Sequence, residues 1–230
     1  MGKLTPEFKR RYKKHRELNE KRGQMVIKHN ELVQKSRFNL TVIEQRIVLY
    51  LISKLQPKDI DFKEHEFEIK DFCEVCGMDE VNGMNYKIIK DALKALRDKS
   101  IWVKQEDGGE TTLAWFDYVT MYEDSGKVYI KLYERMKPYL LQLRQFYTQY
   151  ELIYTLAMKS KYSVRMYELL KSHQNQGSVT VDLERLKEQL FATSYAKIND
   201  FKRKVLDIAM REINQLTDIN AEYEFMNSEI

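Results

Sequence analysis

The sequence predicts an α+β protein in which one order of helices and strands occurs twice. Helical segments with apolar residues at three- and four-residue spacing alternate with short strands, and turn residues separate these elements. In residues 25–145, and again in 146–230, a helix leads to a strand, a short helix, a longer helix and a further strand or hairpin. Because the two copies share almost no residue identity, the element order is what repeats. We therefore predict two domains, 25–145 and 146–230, preceded by an arm at 1–24.

The first domain begins with a short extended or helical segment, Val26–Val33. An amphipathic helix follows, with Asn39 predicted as its N-cap and Pro57 ending it. Its apolar residues recur at three- and four-residue steps: Val42, Ile43, Ile47, Leu51 and Leu55. The segment His65–Lys70 then alternates in polarity, which is typical of a short strand.

Two further helices and three strands complete the first domain. Asp71 is predicted to cap a short helix at Phe72–Gly77, and a longer helix is predicted at Asn85–Asp98. The buried face of this longer helix is expected to hold Ile88, Ile89, Ala92, Leu93 and Leu96. The strands predicted after it are Ile101–Glu106, Thr112–Tyr122 and Lys127–Tyr133, the first two joined by an Asp107-Gly108-Gly109 hairpin.

The second domain repeats this order with different residues. Its predicted elements are a helix at Tyr150–Gln174, a strand at Ser178–Val181, a helix at Leu183–Leu190 capped by Asp182, a long helix at Tyr195–Gln215 and a strand at Ala221–Phe225. Helix, strand, short helix, longer helix and hairpin is the order of a winged helix-turn-helix domain. We therefore predict two tandem winged helices. Since only one strand follows the long helix before Ile230, the second is expected to lack its last wing strand.

Positive charge is concentrated in the amino-terminal arm. Residues 1–22 carry nine Lys/Arg against three Glu, a net of +6, whereas the remaining residues carry 30 positive and 32 negative charges, a net of −2. Such an arm can neutralise phosphates, or it can be a solvated helical or frayed tail.

The composition excludes several classes of protein. A hydrophobic content of 43% is enough to build cores, so a wholly disordered chain is excluded. No apolar run approaches the roughly 18 residues of a membrane span, and the charged start does not resemble a secretory signal. With two cysteines and no export signal, we expect a cytoplasmic protein without membrane contact. No phosphate-binding loop motif of an ATPase or helicase is present.

No motif indicates a cofactor or a catalytic centre. Cys73 and Cys76 form a CxxC, but no second pair or His pair lies at metal-ligand spacing, so core packing is favoured over zinc. The four histidines occur singly, and we expect no metal, no other cofactor and no enzymatic activity. One aromatic hairpin could stack bases of a single strand, although sheet packing or a dimer interface is favoured: Trp115, Phe116, Tyr118 and Tyr122.

The long helix of the second domain has a packed face and a basic face. A step of 100° per residue places a buried seam at Ile198, Phe201, Val205, Ile208 and Ala209. Opposite this seam lie Asn199, Arg203 and Met210, flanked by Lys202 and Lys204, with Lys197 near the helix start. A helix with one packed face and a basic amino-terminal end can lie in a DNA major groove.

The residue types on the exposed face suit DNA. An Arg guanidinium can bond guanine O6 and N7 together, an Asn amide can bond adenine, and Lys attracts phosphate whatever the sequence. The alternative is a solvated face with local ion pairs. The tandem winged-helix order favours DNA over this alternative.

Three separated segments resemble the iteron-binding plasmid replication initiators of the theta-replication type. The segment MVIKHNELVQKSRFNLTVIEQRIVLYLISKL at 25–55 is similar to the start of that family's first winged helix. The segments SKYSVRMYELLK at 160–171 and INDFKRKVLDIAMREINQLTDI at 198–219 look like its second winged helix. The resemblance runs from Met25 to the end of the sequence and leaves the basic arm outside it.

This resemblance implies binding to direct repeats (iterons) in a plasmid origin, opening of an adjacent AT-rich region, and recruitment of the host initiator and helicase. A homodimer would bind the promoter of its own gene and repress it. The second domain would make the principal base contacts through Tyr195–Lys204, and the first would supply phosphate contacts and the dimer interface.

The resemblance also suggests which residues contact DNA. Carried over from the second winged helix are Lys197, Asn199, Lys202, Arg203 and Lys204, together with Lys161 and Arg165 of the SKYSVR segment. For Arg165, pairing with an acidic neighbour at the domain surface is left as an alternative. In the first domain, phosphate contacts are assigned to basic residues off the buried seam of Asn85–Asp98: Lys87, Lys90, Lys94 and Arg97. A dedicated transcriptional repressor, a nicking enzyme and a protein-interaction module remain the alternative functions.

Overall fold

The computed structural model describes residues 6–78, 83–105 and 107–226, with side chains described from Lys13 onward. The elements up to residue 132 are α1 Pro6–Arg22, β1 Met25–His29, α2 Asn30–Gln34, β2 Ser36–Arg37, α3 Val42–Ile52, β3 His65–Glu68, α4 Ile69–Val75, α5 Gly83–Asp98, β4 Ser100–Lys104, β5 Glu110–Ala114, β6 Phe116–Tyr122 and β7 Lys127–Leu132. After a 3₁₀ turn follow α6 Lys137–Leu140, β8 Tyr147–Glu151, α7 Ile153–Leu156, α8 Lys161–Ser172, α9 Leu183–Gln189, α10 Ile198–Phe201 and α11 Asp207–Leu216.

The first winged helix is formed by α3, β3, α4 and α5 together with the wing strands β6 and β7. Strand β7 lies between β3 and β6 and is antiparallel to both. Helix α5 packs into the core through Ile89, Ala92, Leu93 and Leu96, as predicted. The remaining predicted core residue, Ile88, is 38% exposed because it lies at the edge of that buried stripe.

The predicted strand Thr112–Tyr122 is wrong as a single element, because it is two strands in two sheets. Strand β5 pairs with β4 in a sheet ordered β2-β4-β5, whereas β6 pairs with β7. The chain changes sheet at Trp115, which is buried and packs edge-to-face on Phe38 with 5.2 Å between ring centroids. Since no Gly or Pro interrupts this segment, and Asp117 follows the break and does not lie at it, the change of sheet at Trp115 depends on tertiary packing.

The predicted single helix Tyr150–Gln174 is also wrong as one element, because within it only the short α7 is helical before Lys161. Residues Tyr147–Glu151 form β8, which pairs antiparallel with β1 from Met25↔Glu151 to His29↔Tyr147. A new helix starts at Lys161, where the Ser160 side chain accepts a bond from the Tyr162 N–H. A strand partner far away in sequence therefore overrides the local helical pattern.

The second helix-turn-helix consists of α9 and a continuous helix 198–216, which we call the recognition helix. It begins with α10, passes through a π-helical turn at Lys202–Leu206 and continues as α11. The Asp182 side chain caps α9 as predicted, accepting the Arg185 N–H at 2.9 Å. The turn between the two helices contains Phe191 at φ 52°, a left-handed conformation that is uncommon for a bulky residue.

The predicted strands Ser178–Val181 and Ala221–Phe225 do not form. Neither segment pairs with another strand among the described residues, and the first is wholly exposed. Without a described strand partner, neither segment can form a ladder, and in the second the backbone N–H and C=O of Ala221 bond instead to the Asn214 side chain at 2.8 and 2.9 Å. Within the described residues, the second domain is thus a helix-turn-helix in which neither wing strand is formed.

At two helices, the residue at the N-cap position is a near neighbour in sequence of the one predicted. Helix α3 is capped by Thr41, not Asn39, in a capping box in which the Glu44 carboxylate accepts the Thr41 N–H at 2.7 Å. Helix α4 starts at Ile69 after Glu68, so Asp71 lies inside its first turn instead of capping it. Both errors place the helix boundary two or three residues from its true position.

The basic arm is a helix that packs against the first domain. Arg22 of α1 donates to the carbonyl oxygens of Val75 (2.8 Å) and Glu74 (3.0 Å), which end α4. Lys14 forms an ion pair with Glu74 at 2.8 Å, and Lys21 lies 3.6 Å from Asp71. The arm is therefore helical, but it is docked and part of its positive charge is already paired.

Helix α8 packs against elements of both halves of the chain. It contacts α2, α3 and β8 on one side and α11 on the other. Val164, Met166 and Tyr167 are buried between them. Since β1 also pairs with β8, the two halves share a core, and the domain boundary at 145/146 stays a prediction.

Candidate nucleic-acid interface

The recognition helix is fixed in the core by one apolar face. Phe201, Val205, Ala209 and Ile213 have no solvent exposure, and Leu206 is also buried. This packing leaves the start of the helix on the surface, with its polar side chains pointing outward. The predicted packed face and exposed basic face are therefore both present.

The π-helical turn changes which residues lie on each face. In a π-helical turn the hydrogen bond spans five residues instead of four, so a wheel drawn at 100° per residue loses its phase there. Leu206 is consequently buried beside Val205, whereas the predicted seam residues Ile198 (44% exposed) and Ile208 (half-buried) are not fully buried. Met210, predicted on the outer face, is half-buried against the core.

All five site residues predicted on this helix are exposed: Lys197, Asn199, Lys202, Arg203 and Lys204. Asp200 lies among them, 3.3 Å from Arg203 and 3.4 Å from Lys204. Exposed ion pairs of this kind are worth little, because both partners remain solvated. Arg203 and Lys204 can therefore exchange Asp200 for a phosphate or a base edge at small cost, and four cations lie within eight residues.

Lys161 begins α8 at the surface between the two halves. Its Nζ donates to Asn39 Oδ1 at 2.8 Å and lies 5.0 Å from the centre of the Tyr162 ring. Burial, with a smaller effect of the nearby Lys99, holds its pKa below the ordinary value of 10.5. The predicted role of Lys161 as a backbone contact fits this position.

Arg165 does not fit its predicted role. Its side chain is 3% exposed, and its Nη2 donates to the carbonyl oxygens of Val33 (2.9 Å) and Ser36 (3.0 Å). Its Nη1 lies 3.3 Å from Glu168. Arg165 therefore does pair with an acidic neighbour, Glu168, as the alternative assignment stated, but the pair lies in the core and not at the surface. Because Arg165 points into the protein, it cannot reach a phosphate in this conformation.

The first domain presents a second set of basic residues on α5. Lys87, Lys94 and Arg97 are exposed. Lys90 instead forms an ion pair with Glu123 at the tip of the wing and lies 6.0 Å from the Tyr86 ring centre. Three of the four predicted residues therefore remain accessible on one helix.

Two tyrosines near this interface were not assigned individually as DNA contacts from the sequence, although Tyr195 begins the segment expected to make base contacts. Tyr195, in the turn before the recognition helix, packs edge-to-face on Tyr162 with 6.1 Å between ring centroids. Lys204 Nζ lies 5.9 Å from the centre of the Tyr195 ring. The sequence offered one hint of their involvement: Tyr162 is next to Lys161, and Tyr195 lies just before the recognition helix. Only the tertiary structure brings the two tyrosines together.

The other candidate sites have structural explanations. Cys73 and Cys76 are buried and free, and burial raises the pKa of the Cys76 thiol to about 12. Among the described residues, no three His, Cys, Asp or Glu side chains come close enough together to hold a metal ion. Trp115 and Phe116 are core residues, whereas Tyr118 and Tyr122 are 42% and 55% exposed on the wing.

Two tandem helix-turn-helix units, the second with an exposed cationic recognition helix, define a DNA-binding protein of the winged-helix class. No helix in the described ranges has the length and apolar character needed to cross a bilayer. Residues 25–171 match the family described as "Initiator Replication protein, WH1", and residues 182–228 match "Initiator Rep protein, WH2". The chain therefore belongs to the initiator replication protein family.

Individual relatives agree with this assignment. A "Replication initiation protein" of Escherichia coli is 23% identical, with 85% of this chain matching 63% of that protein. A "PI protein" of Escherichia coli is 26% identical over 48% of this chain and 42% of its own length. The chain thus spans less than two thirds of both curated relatives. The crystal structure of a "Pi initiator protein in complex with iteron DNA" matches with a TM-score of 0.72 at 19% identity, covering 91% of this chain and 94% of that one.

Proposed function

We propose that this protein initiates plasmid replication by binding repeated sites (iterons) in the origin through its second winged helix. The observation that carries the proposal is the exposed face of the recognition helix, where Asn199 and Arg203 lie among Lys197, Lys202 and Lys204. Membership of the initiator family supports the biological role. The structural match to an initiator bound to iteron DNA supports repeats as the target.

The roles of these residues follow from their chemistry. Arg203 and Asn199 can each form paired hydrogen bonds with a purine edge, so we assign them base reading. Lys197, Lys202 and Lys204 carry point charges that suit phosphate oxygens of any sequence. Lys161 would contact the backbone beside them.

The first domain has a supporting role in this proposal. Its accessible basic residues on α5, Lys87, Lys94 and Arg97, would bind phosphates, and residues 25–145 would carry the homodimer interface. As a monomer the protein would bind iterons, promote opening of an adjacent AT-rich region and recruit the host initiator and helicase. As a dimer it would bind its own promoter as a repressor. It would act in the cytoplasm, by binding and without a catalytic step.

The decisive experiment is DNase footprinting on the DNA that flanks the gene. We expect protection of tandem repeats beside an AT-rich tract, at protein concentrations that leave an unrelated duplex unprotected. Protection of a promoter operator alone, with no repeats bound, would instead make the protein a dedicated repressor. A second reaction contains the protein, Mg²⁺ and a supercoiled plasmid that carries the same DNA. It should yield neither a nick nor a covalent protein–DNA adduct.

The salt dependence of binding separates a DNA-binding role from a protein-interaction role. Each phosphate that the protein neutralises contributes about −0.9 to the slope of log K against log salt concentration. With the lysines of the recognition helix and α5 engaged, we expect a steep negative slope. A flat dependence on repeat DNA would contradict the proposal.

A further inference from the structure

A line of four side chains joins α8 to the recognition helix, and we call it the lysine–tyrosine ridge: Lys161, Tyr162, Tyr195 and Lys204. The two rings meet edge-to-face at its centre, 6.1 Å apart. Lys161 Nζ lies 5.0 Å from the Tyr162 ring centre, and Lys204 Nζ lies 5.9 Å from the Tyr195 ring centre. The ridge is continuous from the segment between the two halves to the helix that faces DNA.

The ridge carries positive charge that the described residues do not fully neutralise. Lys161 bonds to the neutral Asn39, and no described carboxylate forms an ion pair with it. The nearby Lys99 is already paired, because its Nζ donates to both oxygens of the Glu44 carboxylate at 2.8 and 2.7 Å. Lys161 stands at one end of the ridge, and Lys204, in an exposed pair with Asp200, stands at the other. Phosphates spaced along one strand of a duplex would be attracted to both ends.

The tyrosines suit phosphate better than a nucleic-acid base. Both rings are half-buried, and each has a lysine ammonium near it, so a base could stack only by displacing that lysine. Their hydroxyl groups can donate to phosphate oxygens. Burial, together with the neighbouring Tyr195, raises the pKa of Tyr162 to about 12, so its hydroxyl keeps its proton at neutral pH.

We propose that the lysine–tyrosine ridge binds the phosphate backbone of the same duplex that receives the recognition helix. The inference rests on the proposed DNA binding and adds the hydroxyl groups of Tyr162 and Tyr195 to the interface as phosphate donors. The ridge contributes affinity without sequence preference, because phosphates carry no sequence information directly.

The test uses the full chain and two duplexes, one carrying the repeats that flank the gene and one of unrelated sequence. Lys161→Ala should weaken binding to both by the same factor and reduce the salt slope by about 0.9. Tyr162→Phe and Tyr195→Phe keep the rings and should weaken binding about two- to tenfold without changing the slope. The matched control is Lys63→Ala, whose side chain is 81% exposed in the segment before β3 and should behave as the unchanged protein.

The possible outcomes separate this inference from the proposed function. If Lys161→Ala and both Phe variants bind both duplexes as the unchanged protein does, the ridge does not contact DNA, whatever the preference for repeats. If the unchanged protein shows no preference for repeats, the initiator proposal fails, and the ridge is still tested on the unrelated duplex. If Tyr162→Ala and Tyr195→Ala weakened binding to a single-stranded oligonucleotide while both Phe variants left duplex binding unchanged, the inference would be overturned in favour of base stacking.

Discussion

At the scale of single residues, Arg203 and Lys202 are neighbours with different expected roles. Arg203 lies opposite the packed face and is free to exchange its exposed contact with Asp200 for a base edge. We predict that Arg203→Ala costs about 1–3 kcal/mol and relaxes sequence preference, whereas Lys202→Ala weakens all sequences alike. Titration of the repeat and its single-base variants measures both effects. Identical behaviour of the two variants would contradict the assigned roles.

The core contains a buried ionic cluster that the sequence did not reveal. Lys28, Arg165 and Glu168 are at most 5% exposed, and the Glu168 carboxylate pairs with both cations. Tyr150 donates to the same carboxylate at 2.5 Å. Burial alone would raise the pKa of Glu168, but Lys28 and Arg165 outweigh it and hold the pKa below the ordinary value of 4.5. The cluster joins β1 and β8 to α8.

We predict that Glu168→Gln destabilises the protein by about 3–5 kcal/mol at neutral pH, because it leaves two buried cations without their counter-charge. A carboxylate whose pKa is lower when folded contributes stability above its unfolded pKa and loses it as the pH falls through the folded value. Urea unfolding from neutral pH down to acid should therefore show a stability loss below pH 4.5 that the variant lacks. The exposed Glu20→Gln is the matched control. Equal pH profiles for Glu168→Gln and the unchanged protein would contradict this account.

At the scale of elements, helix α1 is attached to the first domain through its last residue, Arg22. Arg22 donates to the carbonyl oxygens of Val75 and Glu74 at the end of α4, where Glu74 also accepts the Gly77 N–H at 3.2 Å. We predict that Arg22→Ala costs about 1–3 kcal/mol and makes the arm more susceptible to proteolysis, because charged hydrogen bonds of this kind are worth that much. Arg16→Ala, which removes an exposed pair with Glu20, is the control. If both variants have the same stability and the same rate of cleavage, the position of the arm does not depend on the hydrogen bonds of Arg22.

The elements also show which sequence patterns were sufficient. Strong amphipathic periodicity located α3, α5, α8 and the recognition helix, because each depends mainly on its own apolar stripe. Strand β8 was missed because its partner β1 lies more than a hundred residues away along the chain. The π-helical turn was missed because wheel geometry assumes one regular helix. The five predicted residues at the start of the recognition helix are nevertheless exposed as expected. The wheel was centred on Phe201, which is indeed buried, and the lost phase affects mainly the residues after it.

At the scale of the whole molecule, the two halves are joined by shared structure. Helix α8, the β1–β8 pair and the buried cluster all connect residues before 145 with residues after 146. We predict a single cooperative unfolding transition. The two tryptophans, Trp102 and Trp115, report only on the first domain, whereas far-ultraviolet circular dichroism reports on both. Coincident denaturant transitions by the two probes are expected, and a separate transition for the helical signal would show that the halves unfold independently.

The sequence by itself determined the class of the protein: two helix-turn-helix units, a basic recognition helix and the resemblance to plasmid initiators. It did so because periodicity, turn residues and charge are local properties, which a chain displays before it folds. The tertiary structure alone decided that Arg165 lies in the core, that the arm docks on α4, and that Tyr162 meets Tyr195. These outcomes depend on contacts between residues distant in sequence, whose burial and charge no local pattern specifies.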